Sequence, residues 1–185
     1  MADMGQTENR RPHLFEAFDK LAAVRQETPR EEALARMPEK DRENLVRITQ
    51  AFTPVMQERH LRGALVLVGG ALTKPFPRKD IDVRMIIDTG EIPEDLGDEY
   101  SLALKKYQTT KSILGDMAKR VHRVVLKEAV GPQVLHDHPN QLEHEGTLIV
   151  EAEGATPIEF MNTLSGNVQE FVSNQTGEFS VLATA

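Results

Sequence analysis

Residues 66–87 read VLVGGALTKPFPRKDIDVRMII, and the prediction of the fold starts from this stretch. Its apolar start runs straight into Gly69 and Gly70, which is typical of a buried strand that stops at a turn where the backbone comes close to another group. After a basic, proline-bearing loop, Asp80 and Asp82 begin a second apolar segment. The stretch therefore predicts two buried strands, with a glycine turn after the first and two carboxylates at the start of the second.

The two aspartates are expected to share one face of the second strand. Residues i and i+2 of a strand point the same way and the rise is about 3.3 Å per residue, so Asp80 and Asp82 project side by side while Ile81 and Val83 point into the core. Two carboxylates this close repel each other unless a cation lies between them. Carboxylate oxygens suit Mg²⁺, which takes one or two protein carboxylates together with waters and substrate phosphates. The pattern therefore predicts a magnesium site.

The glycine turn predicts a phosphate site opposite the carboxylates. Gly69 and Gly70 have no side chains, so their backbone N–H groups are open to the approach of a phosphate. The loop that follows carries Lys74, Arg78 and Lys79, whose charges could hold a triphosphate. The alternative interpretation of these three residues is ordinary solvation of a surface loop.

The glycine pair, followed after nine residues by the Asp-x-Asp pair, resembles the signature of the nucleotidyltransferase superfamily. This polymerase-beta-like fold is that of polymerase beta, poly(A) polymerases and aminoglycoside nucleotidyltransferases. In the superfamily a third carboxylate comes from a later strand and is flanked by apolar residues. Glu159, which lies between an isoleucine and a phenylalanine, matches that description. The resemblance covers residues 60–88 and, more loosely, 147–161.

The resemblance implies a transferase that moves a nucleoside monophosphate from an NTP, such as ATP, to the hydroxyl of an unidentified acceptor and releases pyrophosphate. It implies that Asp80, Asp82 and Glu159 are catalytic and hold two Mg²⁺ (or Mn²⁺) ions, with Glu159 also able to act as base. It further implies a set of residues that bind the nucleotide phosphates. These are Gly69, Gly70, Thr73, Lys74, Arg78 and Lys79.

Glu159 has two rivals for the role of third carboxylate, Glu151 and Glu153, which share one face of the preceding strand. We prefer Glu159 because its apolar neighbours predict a buried strand, where an unpaired carboxylate is costly without a metal. The alternative role for Glu159 is a salt bridge to Arg84 or to a helix lysine.

Composition restricts the class of protein. A chain of 185 residues is long enough for one domain with a full core. Cysteine is absent, which excludes disulfides and thiolate metal sites, and the net charge of -7 argues against binding to extended nucleic acid. No apolar run approaches the roughly 20 residues that cross a bilayer, and the N-terminus lacks the apolar core of a signal peptide. These features predict a cytoplasmic protein that does not bind membranes.

The N-terminal third predicts helices that brace the sheet. Residues 1–12 are expected to form a disordered tail and residues 13–26 an amphipathic helix. A short helix is expected next, with Thr28 as its cap and Pro29 at its first position.

A longer amphipathic helix is predicted over residues 38–60, although Pro54 would kink or end it. We therefore divide the chain into the tail, a bracing segment over residues 13–60 and a nucleotidyltransferase-like domain over residues 61–185.

The middle of the chain predicts an acidic loop and then a long helical stretch. Residues 88–97 are interpreted as a connector, or alternatively as a lid or acceptor-binding loop. Residues 98–130 predict one bent helix or two helices. The second half of this stretch carries basic residues that could contact an acceptor or RNA, the alternative being a solvated helix face. They are Lys111, Lys119, Arg120, His122, Arg123 and Lys127.

Residues 134–146 are predicted to form a polar loop. Its histidines, His136, His138 and His144, could bind a transition metal, contact the nucleotide base or simply be solvated. Residues 147–153 and 157–161 then predict a hairpin that would place Glu159 beside the Asp-x-Asp strand.

In the C-terminal tail we expect a helical turn over residues 168–171 and a short edge strand over 179–182. The whole pattern predicts an α/β (α+β) fold in which helices flank a mixed sheet.

Two other classes of function stay open. One is a catalytically inactive regulatory module that binds nucleotide or metal on the same fold, acting with a protein partner or as a homo-oligomer. The other is a structural or interaction protein whose aspartates only bridge locally, although such a protein would have little use for the glycine pair.

Overall fold

The protein has a mixed α+β architecture, seen in a computed structural model that describes residues 25–88, 98–165 and 168–185. Helices pack on a seven-stranded mixed sheet, and a two-stranded sheet lies beside it. The elements in chain order are β1 (Arg25–Glu27), α1 (Arg30–Ala35), α2 (Glu39–Glu58), β2 (Arg62–Val68), α3 (Gly70–Thr73), β3 (Ile81–Asp88), α4 (Glu99–Arg120), β4 (Val124–Val130), β5 (Gln133–Leu135), β6 (His138–His144), β7 (Thr147–Ala152), β8 (Ile158–Ser165), α5 (Val168–Ser173) and β9 (Gly177–Thr184).

The two strands predicted from the glycine-rich stretch lie at the centre of the large sheet. The strand order is β1-β9-β2-β3-β8-β7-β4. β2 and β3 are antiparallel neighbours, whereas β8 lies parallel to β3. Central strands are covered on both faces, which explains why β2 is apolar almost throughout. The predicted mixed sheet flanked by helices is confirmed, while its likeness to the nucleotidyltransferase fold stays a prediction.

The two faces of the sheet have different partners. α2 and α4 pack on the face that carries Leu65, Leu67, Ile81 and Val83. α5 packs near one end of the opposite face, against a smaller apolar cluster. Because side chains alternate along a strand, Asp82 points to that second face, away from α2.

α2 buries the predicted apolar stripe and continues through Pro54. The five residues predicted to be buried are all at most 2% exposed. Pro54 lies on the exposed side of the helix, so its missing N–H group costs one backbone hydrogen bond while the buried stripe still packs against the sheet. The stripe consists of Leu45, Ile48, Phe52, Val55 and Met56.

The N-terminal predictions are partly wrong. Residues 1–24 lie outside the described part of the chain, so most of the helix predicted over 13–26 and the tail over 1–12 are not tested. The last two residues of the predicted helix, Arg25 and Gln26, belong to β1, which pairs in parallel with β9. Thr28 does not cap α1, since its hydroxyl donates to Glu178 Oε1 (3.0 Å) and Pro29 occupies the cap position.

The helix predicted over residues 98–130 ends at Arg120, and the prediction is wrong for the last ten residues. β-branched residues follow, and Arg123 adopts a left-handed backbone (φ 60°) that breaks the helix. β4 then pairs with β7. The basic residues predicted to form one cluster are therefore divided between a helix, a turn and a strand. Four of them form ion pairs with carboxylates, in the pairs Lys111–Glu128, Lys119–Asp116, Arg120–Glu58 and Lys127–Glu151.

Later elements are more regular than predicted. Residues 133–144 form the β5–β6 hairpin and not a loop. The predicted β7–β8 hairpin is confirmed, and β8 extends to Ser165. β9 runs from Gly177 to Thr184 between β1 and β2, so it is an interior strand and not a short edge strand.

The predicted helical turn near residue 168 is confirmed as α5. The loop predicted over residues 88–97 lies outside the described residues, except that Asp88 ends β3. None of the helices in the described ranges is both long enough and apolar enough to cross a membrane.

Gly63 provides a test of the contact between α2 and β2. A Cβ atom added to Gly63 would lie 2.6 Å from Met56 Cε and 2.8 Å from the backbone oxygen of Ile86. We expect Gly63→Ala to lower the free energy of unfolding by about 1–3 kcal/mol, because the added methyl overpacks a closed core. Urea denaturation measures this change.

Gly115→Ala is the matched control for that experiment. Gly115 lies within α4, and no atom lies within 4 Å of the added methyl. The same chemical change should therefore stabilise the protein by about 0.5–1 kcal/mol. Equal effects of the two substitutions would contradict the packing described here.

Candidate nucleotide and metal site

The parallel pairing of β3 with β8 places Asp82 beside Glu159. Their Cα atoms are register partners on adjacent strands, which lie about 4.8 Å apart in a sheet. Asp80 immediately precedes β3, and its charge acts on both carboxyls. Glu159 is thus close in space to two aspartates that are distant from it in sequence.

Burial and mutual repulsion raise the pKa values of two of these groups. Burial is the main cause for the Asp82 carboxyl, followed by the charge of Asp80, while Arg78 acts in the opposite direction. The pKa of Glu159 is also raised, first by burial and then by Asp82 and Asp80, against the charges of Lys79 and His144. Ionisation of these two carboxyls therefore costs more free energy in the folded protein than ionisation of isolated carboxyls in water.

Neither Asp82 nor Glu159 has a polar partner among the described residues: no hydrogen bond or ion pair there involves either side chain. The alternative pairing of Glu159 with Arg84 is absent, because Arg84 Nη1 donates to Gln175 Oε1 (3.2 Å). The rival carboxylate Glu151 forms an ion pair with Lys127. Of the candidates on β7 and β8, Glu159 is the one placed in register with the aspartate strand.

Gly69 adopts a backbone conformation that only glycine tolerates well. Its φ of 71° and ψ of -147° lie outside the regions open to other residues. A Cβ atom there would lie 2.9 Å from Asp82 Oδ2. The glycine thus lets the backbone at the end of β2 approach the Asp82 carboxylate.

Gly70 provides the surface on which Arg78 lies. A Cβ atom on Gly70 would overlap the guanidinium group of Arg78, which thus occupies the space that a side chain would fill. The Nε atom of Arg78 is buried and has no hydrogen-bond partner. Arg78 therefore brings a positive charge with unused donor capacity to the edge of the carboxylate site.

The other predicted phosphate ligands are less well defined. Thr73 ends α3, and its hydroxyl lies 3.5 Å from the backbone oxygen of Gly69, to which it donates. The side chain of Lys74 is exposed. Lys79 is exposed as well, and its charge acts on Glu159. Arg78 and Lys79 are thus the two predicted cations whose charges act on the carboxylates.

The histidines separate into different environments. His136 is fully exposed and contacts Asp137 (2.9 Å). His144, at the end of β6, lies near enough to Glu159 for its charge to act on that carboxyl, and its Nδ1 accepts a hydrogen bond from the N–H of Gly146. The proximity of His144 to Glu159 depends on the β5–β6 hairpin, which was not predicted.

A cavity of about 380 Å³ lies between α4 and the end of β6. Apolar and charged side chains line this cavity, and His144 is one of them. The remaining lining residues are Glu99, Leu102, Ala103, Lys106, Leu142, Glu143 and Glu145.

Asp41 is a positioning residue that the sequence did not reveal. Its buried carboxylate accepts hydrogen bonds from the N–H (2.6 Å) and the hydroxyl (2.8 Å) of Thr156. The next residue, Pro157, accepts from the N–H of Ile81 (2.9 Å). These contacts fix the starts of β8 and β3 together, and with them Glu159 and Asp82. In the sequence, Asp41 is indistinguishable from any acidic residue in the first turn of a helix.

The chemistry of the donor set fits Mg²⁺ or Mn²⁺, which prefer carboxylate oxygen. The three carboxylates do not form a complete metal cage, since no group of three or more His, Asp or Glu residues within the described ranges is arranged to hold a metal ion. Mg²⁺ commonly takes only one or two protein carboxylates and completes its shell with water and substrate phosphates. The site therefore fits a metal that arrives with a phosphorylated substrate.

Comparisons with known proteins add nothing to this geometry. No family model, no curated protein and no solved structure matches the chain. The interpretation of the site consequently depends on its own residues.

Removal of the Asp41 carboxylate should loosen the start of β8. We expect Asp41→Ala to lower the free energy of unfolding by about 2–3 kcal/mol, because hydrogen bonds to a charged, buried acceptor are lost. The measurement is urea denaturation at pH 7. Asp137→Ala is the control, since the Asp137 side chain is 88% exposed and its loss should change stability by less than about 0.5 kcal/mol. A small effect at Asp41 would contradict its positioning role.

The raised pKa values of Asp82 and Glu159 predict how stability depends on pH. Between their ordinary values of 3.8 and 4.5 and the raised ones, the folded protein binds more protons than the unfolded chain. These two groups therefore lower the free energy of unfolding as the pH rises through that window.

Glu159→Gln removes one of these titrating charges. We expect the variant to be more stable than the wild type at pH 7.5, by less than about 1 kcal/mol because the carboxylates are partly exposed to solvent. The gain should shrink as the pH falls toward 4, which denaturation at several pH values will measure. Glu151→Gln, which removes a paired carboxylate, should give no such gain. Destabilisation by Glu159→Gln at pH 7.5 would contradict the repulsion described here.

Proposed function

We propose that the protein is a metal-dependent nucleotidyltransferase that moves a nucleoside monophosphate from an NTP to an acceptor hydroxyl. The observation that carries this proposal is the placement of Asp82 in register with Glu159, next to the Gly69 turn. Two partly buried carboxylates without a polar partner among the described residues are costly in a protein that has no cation to bind. A divalent ion with bound phosphates would offset that cost.

Asp80, Asp82 and Glu159 are the residues that would hold Mg²⁺ or Mn²⁺. When bound, the metal supplies charge neutralisation at the triphosphate and lowers the pKa of an attacking hydroxyl. Arg78 has unused donors beside Asp82, and Lys79 acts on Glu159, so both cations are placed to bind the β and γ phosphates. The exposed side chain of Lys74 can reach the same phosphates from the end of α3.

The proposed reaction forms a bond between the acceptor oxygen and the α-phosphorus and breaks the bond from that phosphorus to the bridging oxygen of pyrophosphate. The proton of the acceptor hydroxyl passes to Glu159, which would act as the general base. Pyrophosphate leaves with its negative charge stabilised by Arg78 and Lys79. The protein contributes position and charge, as is usual in phosphoryl transfer.

The cavity between α4 and β6 is the proposed site for the acceptor. His144 lines it and acts electrostatically on Glu159, so an acceptor held there would lie near the proposed base. Its volume of about 380 Å³ is within the range of small-molecule sites. This location favours a small hydroxylated acceptor over a long polymer, as does the net charge of -7.

A regulatory module that binds a metal–nucleotide complex without turnover is the second candidate. It is favoured by one observation, namely that the described carboxylates form no complete three-residue metal site. The two candidates share the same binding residues and differ only in turnover.

The first experiment is calorimetric titration with ATP, CTP, GTP and UTP, with and without Mg²⁺. We expect at least one nucleotide to bind, and binding to weaken at least tenfold without Mg²⁺ or in the Asp80→Asn/Asp82→Asn variant, because the negative charge that holds the metal is then lost. Glu151→Gln is the control and should bind as the wild type does. Failure of the wild type to bind any nucleotide would refute both candidates.

Turnover then distinguishes the candidates. Release of pyrophosphate from the bound NTP in the presence of hydroxylated acceptors should occur with the wild type and fall about 10²–10⁴-fold in Glu159→Gln, since the general base is removed. Binding without pyrophosphate release across the acceptor screen would favour the regulatory module.

A further inference from the structure

A second group of charges lies on the α2 side of the sheet, opposite the face that carries Asp82. Lys40 and Arg47 of α2 and Arg123, which precedes β4, line one cavity of about 420 Å³. The turn after β7 completes the wall with Ala152, Glu153 and Gly154. We call this cavity the cationic groove.

The cationic groove carries an excess of positive charge in an acidic protein. Three cationic side chains face one carboxylate, that of Glu153. Seven other lysines and arginines form ion pairs with carboxylates, whereas Lys40, Arg47 and Arg123 form none with any described residue. The three cations are exposed, so their mutual repulsion is weak in water, and an anion bound between them would be attracted to all three.

Specific contacts hold these cations at the wall of the groove. The guanidinium of Arg47 donates to the backbone oxygen of His122. A Cβ atom on Gly154 would lie 3.0 Å from Lys40 Nζ, so the ammonium group rests against bare backbone. Arg123 has φ 60°, a left-handed conformation that is uncommon for a residue other than glycine. The groove thus has an ordered wall.

The spacing of the charges indicates the size of the ligand. Lys40 and Arg47 are seven residues apart on α2, which places their Cα atoms on one side of the helix about 10.5 Å apart. A ligand with several phosphates can contact each cation where it lies along this span, whereas a single phosphate would have to draw the two side chains together. Arg47 also lines an adjoining cavity of about 330 Å³ with Gln50 and His122, so the groove continues along α2.

We propose that the cationic groove binds a small ligand that carries two or more phosphate groups. Guanidinium groups match phosphate oxygens with two parallel hydrogen bonds, and an ammonium group adds a compact charge. A long nucleic acid would also meet the protein's overall negative charge, which restricts the ligand to a small molecule. This site is separate from the proposed transferase site and does not depend on its activity.

The test is an NMR titration of the full-length ¹⁵N-labelled protein with sodium pyrophosphate and with tripolyphosphate, in EDTA and without Mg²⁺. We expect saturable shift changes at the amides of Arg123 and Gly154, and weaker binding when salt is raised from about 50 to 200 mM. Arg47→Gln/Arg123→Gln should weaken binding at least tenfold. Lys40→Gln, a milder change at an exposed side chain, should weaken it about threefold even if the double variant folds poorly.

The matched control is Lys74→Gln/Arg78→Gln, which removes two positive charges at the glycine turn. In this control variant, the amide shift changes of Arg123 and Gly154 on addition of pyrophosphate should have the same size and concentration dependence as in the wild type. This result distinguishes binding in the cationic groove from binding of pyrophosphate near Asp82. Three results would overturn the proposal: no saturable shift at those amides, equal binding by the wild type and the groove variants, or equal affinity for inorganic phosphate and pyrophosphate. Binding of a 20-nucleotide RNA in the absence of pyrophosphate binding would likewise overturn it.

Discussion

Repulsion between Asp82 and Glu159 is the constraint around which the rest of the site is arranged. Both side chains lie on central strands, in register and partly withdrawn from water, and the described chain gives neither of them a polar partner. Two ionised groups in this position oppose folding, as their raised pKa values indicate. Natural proteins keep such arrangements where binding needs them, and stability suffers at that place.

Other residues hold the repelling pair in position. Gly69 lets the end of β2 approach Asp82 by accepting a strained backbone, and Arg78 lies over the neighbouring glycine with its charge directed at the same carboxylate. Asp41 fixes the turn before β8 through Thr156. The favourable burial of the two central strands and these local contacts together offset the repulsion. A charged site can therefore exist within an otherwise apolar sheet.

Features whose sequence signal lies within a few neighbouring residues could be predicted, and features that depend on distant contacts could not. The strands of the glycine-rich stretch, the buried stripe of α2 and the facing of Asp82 follow from periodicity within a few residues, and the structure confirms them. The predictions for Thr28, for residues 121–130 and for β9 were wrong because each depends on pairing with a distant segment. Thr28 bonds to residues about 150 positions away, which no local pattern contains.

The candidate site shows the same division. Local pattern and resemblance identified Asp80, Asp82 and Glu159. The proximity of His144 to Glu159, in contrast, depends on the β5–β6 hairpin. The contact between Thr156 and Asp41 depends on the packing of α2. The basic residues were predicted as one helical cluster, but four of them form ion pairs with carboxylates, and three of those carboxylates lie on other elements. Which charges remain unpaired is a property of the tertiary structure and cannot be read from a charge run.

Two groups of charges without ion pairs lie on different sides of the large sheet. The carboxylates of Asp82 and Glu159 lie on one face of the large sheet, and the cationic groove lies on the α2 side. A sheet and its packed core stand between them, so the two groups cannot neutralise each other by side-chain movement. Elsewhere in the described chain, opposite charges meet across elements, as in the pair of Arg59 with Asp116 (2.6 Å). Pairing is thus available to this protein and absent at these two places, which is why we propose a ligand of the opposite charge at each.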